Sequence, residues 1–272
     1  MSQQELQKNK VIHRLVFELR YDYGYEYLDR CGRTINLIQE ECPDWAVADV
    51  GVQGTVLVQP QTEAKFAFAP LKLDFSQELS KETTVLLPIE EFAQTASNLT
   101  EKVVKVLELD QFSRIGFRAW ILFGMPSFEG AKDAIRDTQI VRPACIDAIG
   151  DKGDLGEVGF SLVLSRDECL TRVAVAAVRQ RLKVSGSTIE AARRKPYRHP
   201  PEKRQELLRE KIQANKAIKH FPENAVLVDI DHSLDDPPYP QLDISDFILS
   251  NYRWSNDNAH VFVKPRRGEE SS

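Results

Sequence analysis

Residues 113–123 alternate strictly: Ile115, Phe117, Ala119, Ile121 and Phe123 point one way, while Arg114, Arg118 and Trp120 point the other. Side chains on a strand repeat every two residues, so this segment predicts a strand with one apolar and one polar face. An apolar layer must cover the first face. Helical periodicity nearby supplies candidates for it. Ile89, Phe92, Ala96, Leu99, Val103 and Leu107 recur at helical spacing within 89–109. Leu28, Cys31, Ile35, Ile38 and Cys42 do the same within 25–42, where Pro43 then stops the helix.

The rest of the first 125 residues is strand-like. Residues 11–21 are rich in β-branched and aromatic side chains. Residues 46–75 read as two or three strands punctuated by Gly51, Gly54, Pro60 and Pro70. The order β-α-β-β-(β)-α-β predicts an α+β layer rather than a doubly wound parallel sheet. Beyond it, 127–138 reads as a short helix, 159–165 and 171–184 as strands, 202–220 as a polar helix and 225–231 as a strand. Residues 244–256 read as a helix, and 259–263 as a closing strand or helix end. We therefore expect an α+β protein of two interlocked halves, with mostly antiparallel sheets and helices packed on one face. The expected boundaries are 1–125, a connection at 126–158, a second half at 159–264 and a disordered tail at 265–272.

Composition limits the class. With 272 residues, 42% hydrophobic and 28% charged, the chain has the profile of a soluble globular protein of one or two domains. The most apolar run, 115–125, contains Arg118 and is too short to cross a bilayer. The N-terminus, Met1-Ser2-Gln3-Gln4-Glu5, has no apolar signal core. A cytoplasmic location and no membrane partner are the expectation. Cys31, Cys42, Cys145 and Cys169 form no CxxC pair and no zinc-finger spacing, and read as buried reduced thiols.

The net charge of -5 conceals an asymmetry. Residues 179–220 hold 13 Lys/Arg against 4 Asp/Glu, a balance of +9 that leaves -14 for the remainder. Residues 221–263 follow with eight acids and Arg253 as their one base. Within the basic arm, Arg193, Arg194, Lys195, Arg198, Lys203 and Arg204 are the candidate contacts to a nucleic-acid backbone or an acidic protein partner. Glu202, Glu206 and Glu210 interleave with Lys203, Arg209 and Lys211. That is also the pattern of a solvated surface helix with internal ion pairs.

Three further patterns bear on chemistry. Asp229-Ile230-Asp231 puts two carboxylates about 6–7 Å apart on one face of a strand. Such a pair can hold Mg²⁺ or Mn²⁺ for phosphoryl transfer, or can be ordinary polar residues of an edge strand. Gly150-Asp151-Lys152-Gly153 is a GxxG without the second helix that a backbone-clamping loop requires. The five histidines have no metal-ligand spacing and read as lone surface or capping residues. Arg114, Arg118 and Trp120 are interface candidates, either for an interdomain seam or for a partner.

Three segments together carry a resemblance. They are Val16-Phe17-Glu18-Leu19-Arg20-Tyr21, Arg114-Ile115-Gly116-Phe117-Arg118 and Val226-Leu227-Val228-Asp229-Ile230-Asp231. In that order the chain resembles a sporadically distributed bacterial family of uncharacterised proteins with RIGLRY-like and LLDID-like strands. It departs from the pattern at Ala119-Trp120 and in the long basic arm. The resemblance implies a prokaryotic source and a defence or mobile-element setting, and supplies no catalytic residues to carry over. The expected function is a non-enzymatic interaction component without a cofactor, binding nucleic acid or a protein partner through the basic arm. A metal-dependent nuclease or phosphodiesterase using Asp229 and Asp231, and a structural homodimer, are the alternatives.

Overall fold

A computed structural model of the chain describes residues 3–22, 24–80, 83–138, 140, 157–166, 168–179, 221–238 and 241–263. Among the described residues nine strands form one antiparallel sheet. They are β1 (Lys10–Tyr21), β2 (Ala46–Gly51), β3 (Gly54–Gln59), β4 (Ala64–Ala69), β5 (Lys72–Glu78), β6 (Phe112–Gly124), β7 (Gly159–Arg166), β8 (Cys169–Arg179) and β9 (Asn224–Asp235). The spatial order is β2-β3-β4-β5-β1-β6-β9-β8-β7. The protein is therefore α+β. The 46–75 region holds four strands rather than two or three, because each of its short turns reverses the chain into another ladder. Both halves anticipated from the sequence contribute to this one sheet, joined where β6 pairs with β9.

Among the described residues five α-helices accompany the sheet: α1 (Gln3–Lys8), α2 (Glu26–Glu41), α3 (Ile89–Leu107), α4 (Phe128–Arg136) and α5 (Ile244–Asn258), with a 3-10 turn at Ala259–Phe262. Their ends follow local chemistry. Ser127 accepts a hydrogen bond from Gly130 N and starts α4, and Asp243 accepts from Asp246 N and starts α5. The α3 helix ends where Glu108 takes a left-handed conformation, φ 52°. There the Glu108 carboxylate meets Arg30 of α2 at 2.6 Å. The α2 and α3 helices touch, α3 touches α5, α4 touches β8 and β9, and α5 touches β6.

Alternate positions on the central strands lie in the core. Leu15, Phe17 and Leu19 of β1, Phe75 of β5, Ile115 and Phe117 of β6 and Val228 and Ile230 of β9 are buried, as is Phe92 of α3. Phe92 sits with its ring 4.6 Å from Phe75 and 6.5 Å from Phe117. Each large apolar side chain so buried contributes about 1.5–3 kcal/mol.

Several expectations need correction. Cys31 on α2 and Cys42 at its C-terminal cap are free thiols but only half-buried; Cys169 is buried. His13 and His232 are core residues, not surface ones, since both sit on strands flanked by packed neighbours. Cys145, the 150–153 GxxG and the 202–220 helix lie outside the described residues. So does the tail from residue 264. No helix among the described residues is long and apolar enough to cross a membrane.

Candidate functional site

The positions between those core residues form a second, charged face. Strand registers arrange it in rows across β5, β1, β6, β9 and β8. One row is Glu78, Arg14, Trp120, Asp229 and Ala174; the next is Ser76, Val16, Arg118, Asp231 and Arg172. A third runs Asp74, Glu18, Gly116, Ser233, and a fourth Lys72, Arg20, Arg114, Asp235. A groove of about 320 Å³ crosses these rows, with five cationic residues (Arg14, Arg20, Lys72, Arg114, Arg118) and three acidic ones (Glu18, Asp74, Asp231) along it.

Side chains in the groove pair diagonally. Arg118 donates to Asp229 through Nε at 2.7 Å and Nη2 at 2.5 Å, a two-pronged pair. Arg114 lies over Gly116 and donates to both Glu18 Oε1 and Asp231 Oδ2, each at 3.1 Å. A Cβ on Gly116 would stand 3.7 Å from the Arg114 guanidinium carbon, so the glycine forms the floor beneath it. Glu18 also accepts from Arg20 at 2.7 Å. The Asp229 carboxylate lifts the Arg118 pKa, while burial pushes the Asp231 carboxyl up against the pull of Arg114 and Arg118.

Arg114 and Arg118 thus join strand β6 to β9 across the charged face of the sheet. Asp229 and Asp231 share one face, as their spacing predicts, but each carboxylate is engaged by an arginine. Among the described residues no cluster of three or more His, Cys, Asp or Glu is placed to hold a metal ion.

Trp120 sits at the end of the groove. The Arg14 and Arg118 guanidinium carbons lie 5.0 and 5.4 Å from its ring centroid. Among the described residues its indole N–H and Arg14 Nε are buried without a hydrogen-bond partner. A bulge in β1 between Ile12 and Arg14 turns His13 onto this side. His13 stacks 6.1 Å from Trp120 and meets Phe221 edge-on at 4.9 Å. Its Nε2 lies 3.2 Å from Glu78, whose carboxyl is held below the usual range by that contact.

Phe221 lies one residue beyond the 179–220 segment. Arg179 at the other end pairs with Asn224, so both ends of the segment meet at one end of the β8–β9 ladder. Five residue steps along β9 lead from Asn224 to Asp229, the partner of Trp120, a span of roughly 16 Å at about 3.3 Å per residue. Arg193, Arg194, Lys195, Arg198, Lys203 and Arg204 lie outside the described residues.

A second polar cluster is sealed in the core. Thr171 Oγ1 and His232 Nδ1 are 2.8 Å apart, as are His232 Nε2 and Ser255 Oγ. The spacing is that of an activated serine. Yet His232 and Ser255 are 0% exposed and Thr171 1%, so no substrate reaches them. The cluster ties α5 to β8 and β9. Burial drives the His232 pKa down to about 4, keeping the imidazole neutral.

The sequence missed Arg14, Glu18, Arg20 and Lys72 as groove residues, and the floor role of Gly116. The alternation of Val16, Glu18 and Arg20 on one face of β1 was a usable signal; the His13 bulge shifts it out of phase upstream. No family model matches the chain, and no curated protein or solved structure matches it.

Proposed function

We propose that the protein is a non-enzymatic interaction component that binds an anionic partner, nucleic acid in the first instance, through the 179–220 segment and the arginine groove beside it. The observation that supports this reading is the aromatic chain Phe221–His13–Trp120, which runs from the end of that segment to Arg14 and Arg118. Backbone phosphates suit the charge of the segment, and a base can stack where Trp120 and its arginines present flat surfaces. The reading takes the chain as two interlocked halves with helices on one face of the sheet. The family resemblance adds a bacterial setting in a defence or mobile-element locus, and the sequence composition a cytoplasmic one.

The test is fluorescence anisotropy with a labelled single-stranded oligonucleotide at about 50 and 200 mM salt. Binding is expected to weaken at least about tenfold over that interval. The double substitution Arg193→Glu with Arg194→Glu abolishes it, and Trp120→Ala weakens it. Salt-independent binding, or binding indifferent to all three changes, overturns the proposal. Failure to bind any oligonucleotide while light scattering reports a salt-sensitive dimer favours the homodimer instead.

A further inference from the structure

The sheet ends in two edge strands, and they differ. β2 at one end is exposed along its whole length, but a bulge between Val47 and Asp49 breaks its register and Asp49 sets a charge on it. Bulges and charges are devices that keep an edge from pairing with another chain. β7 at the other end has neither. Its pairing with β8 runs unbroken from Gly159 to Arg166. Residues 159–165, Gly-Phe-Ser-Leu-Val-Leu-Ser, carry no charge and no proline. Among the described residues nothing pairs with the outer side of β7. Gly159, Ser161, Val163, Leu164 and Ser165 are exposed, Val163 at 60%.

Side chains carry the core face out to this edge. Phe160, Leu162 and Leu164 stand opposite Val175, Val173 and Thr171 of β8, all three buried. Cover falls away one strand further out, where Phe160 and Leu162 are half-buried and Leu164 is exposed. An open row of backbone donors and acceptors beside an uncovered apolar stripe fits an extended strand that has an apolar stripe of its own. β7 is itself such a strand.

We propose that β7 pairs antiparallel with β7 of a second copy, making a two-fold dimer whose sheet runs through both chains. A two-fold axis normal to the sheet keeps each face on its own side. With the axis at Leu162, that residue meets its own copy, Phe160 meets Leu164 twice, and Ser161 meets Val163 twice. The apolar side chains then join their copies in one continuous stripe, and no two charges stand opposite each other. Arg166, the one charged residue of β7, lies at its end. The guarded β2 edge closes the assembly at two chains, where two open edges would propagate a fibre. The pairing needs neither the 179–220 segment nor nucleic acid.

Sedimentation velocity of the full chain across a concentration series tests this. A monomer–dimer equilibrium is expected, with a dissociation constant that does not rise between about 50 and 500 mM salt, because no ion pair holds the copies together. The substitution Val163→Glu sets a carboxylate opposite Arg172 of its own chain, which keeps the fold, while two carboxylates come to stand diagonally across the axis. It is expected to raise the dissociation constant at least about tenfold. Val50→Glu on β2 leaves it unchanged. Amide hydrogen exchange reads the same pairing without substitution: β7 amides slow as concentration rises and β2 amides do not. A chain that stays monomeric up to about 0.1 mM overturns the proposal. So does a dimer that salt disperses, one that Val50→Glu breaks and Val163→Glu spares, or open-ended growth.

Discussion

Two faces of one sheet, separated by a single step along each strand, are held together by different physics. On β6, Ile115, Phe117, Ala119 and Ile121 are buried among apolar neighbours. Between them, Arg114 and Arg118 are engaged by Glu18, Asp231 and Asp229. The apolar face supplies most of the stability, because burial is worth kilocalories per side chain. Partly exposed ion pairs contribute about 0–1 kcal/mol each. What the charged face adds is register. A slip of one residue between β6 and β9 would carry arginines into the core and strip every diagonal pair at once. The comparison teaches that the motif residues Arg114, Gly116, Arg118, Asp229 and Asp231 first of all fasten two parts of the sheet together, and only then shape a groove.

The largest effect expected from this contrast is on the apolar face. Phe117→Ala removes a fully buried ring beside Phe92 and is expected to cost about 3–5 kcal/mol in urea unfolding. A loss below that of any charged-face substitution would break the comparison.

The sealed histidine comes next. The His232 pKa falls from 6.5 to about 4 on folding. Between those values the unfolded chain holds the extra proton. Stability therefore drops as pH falls through that window, by up to about 3 kcal/mol, and this loss is complete below pH 4. His232→Asn removes this component, so its unfolding free energy should vary less over the same range. Parallel pH profiles for the two proteins would contradict a buried neutral imidazole.

Smaller effects belong to the charged face. Arg114→Ala strands Glu18 and Asp231 in partly buried positions and should cost about 1–3 kcal/mol. Arg118→Ala removes a side chain that is 45% exposed and should cost about 0.5–1 kcal/mol. The ranking is the sharp part, read by urea midpoints. If Arg118→Ala costs more than Arg114→Ala, the guanidinium resting on Gly116 is not the principal fastener.

Much of the fold was legible in the sequence wherever one periodicity dominated. The strict alternation at 113–123 became β6, and the helical stripe at 89–109 became α3. The late helix at 244–256 became α5. Legibility failed where pairing between distant segments decides the outcome. Nothing local in 46–75 separates three strands from four, since the choice depends on which ladder each run joins. The site was half legible. Period two put Arg114, Arg118, Asp229 and Asp231 on faces, yet it could not say that the two faces coincide and neutralise one another. That fact comes from the β6–β9 register. His13 and His232 were misjudged for the same reason. Their burial comes from partners far away in the chain, such as Phe221 and Ser255.

The pairing of Arg179 with Asn224 has a further consequence. A segment whose two ends are held a strand's width apart behaves as an exchangeable cassette. The sheet sets where it begins and ends, and is indifferent to its length. Closing such an insertion grows more costly only with the logarithm of its size, about 0.6 kcal/mol per doubling. Replacing residues 180–220 by a short loop that keeps Phe221 against His13 is expected to leave the β8–β9 ladder paired.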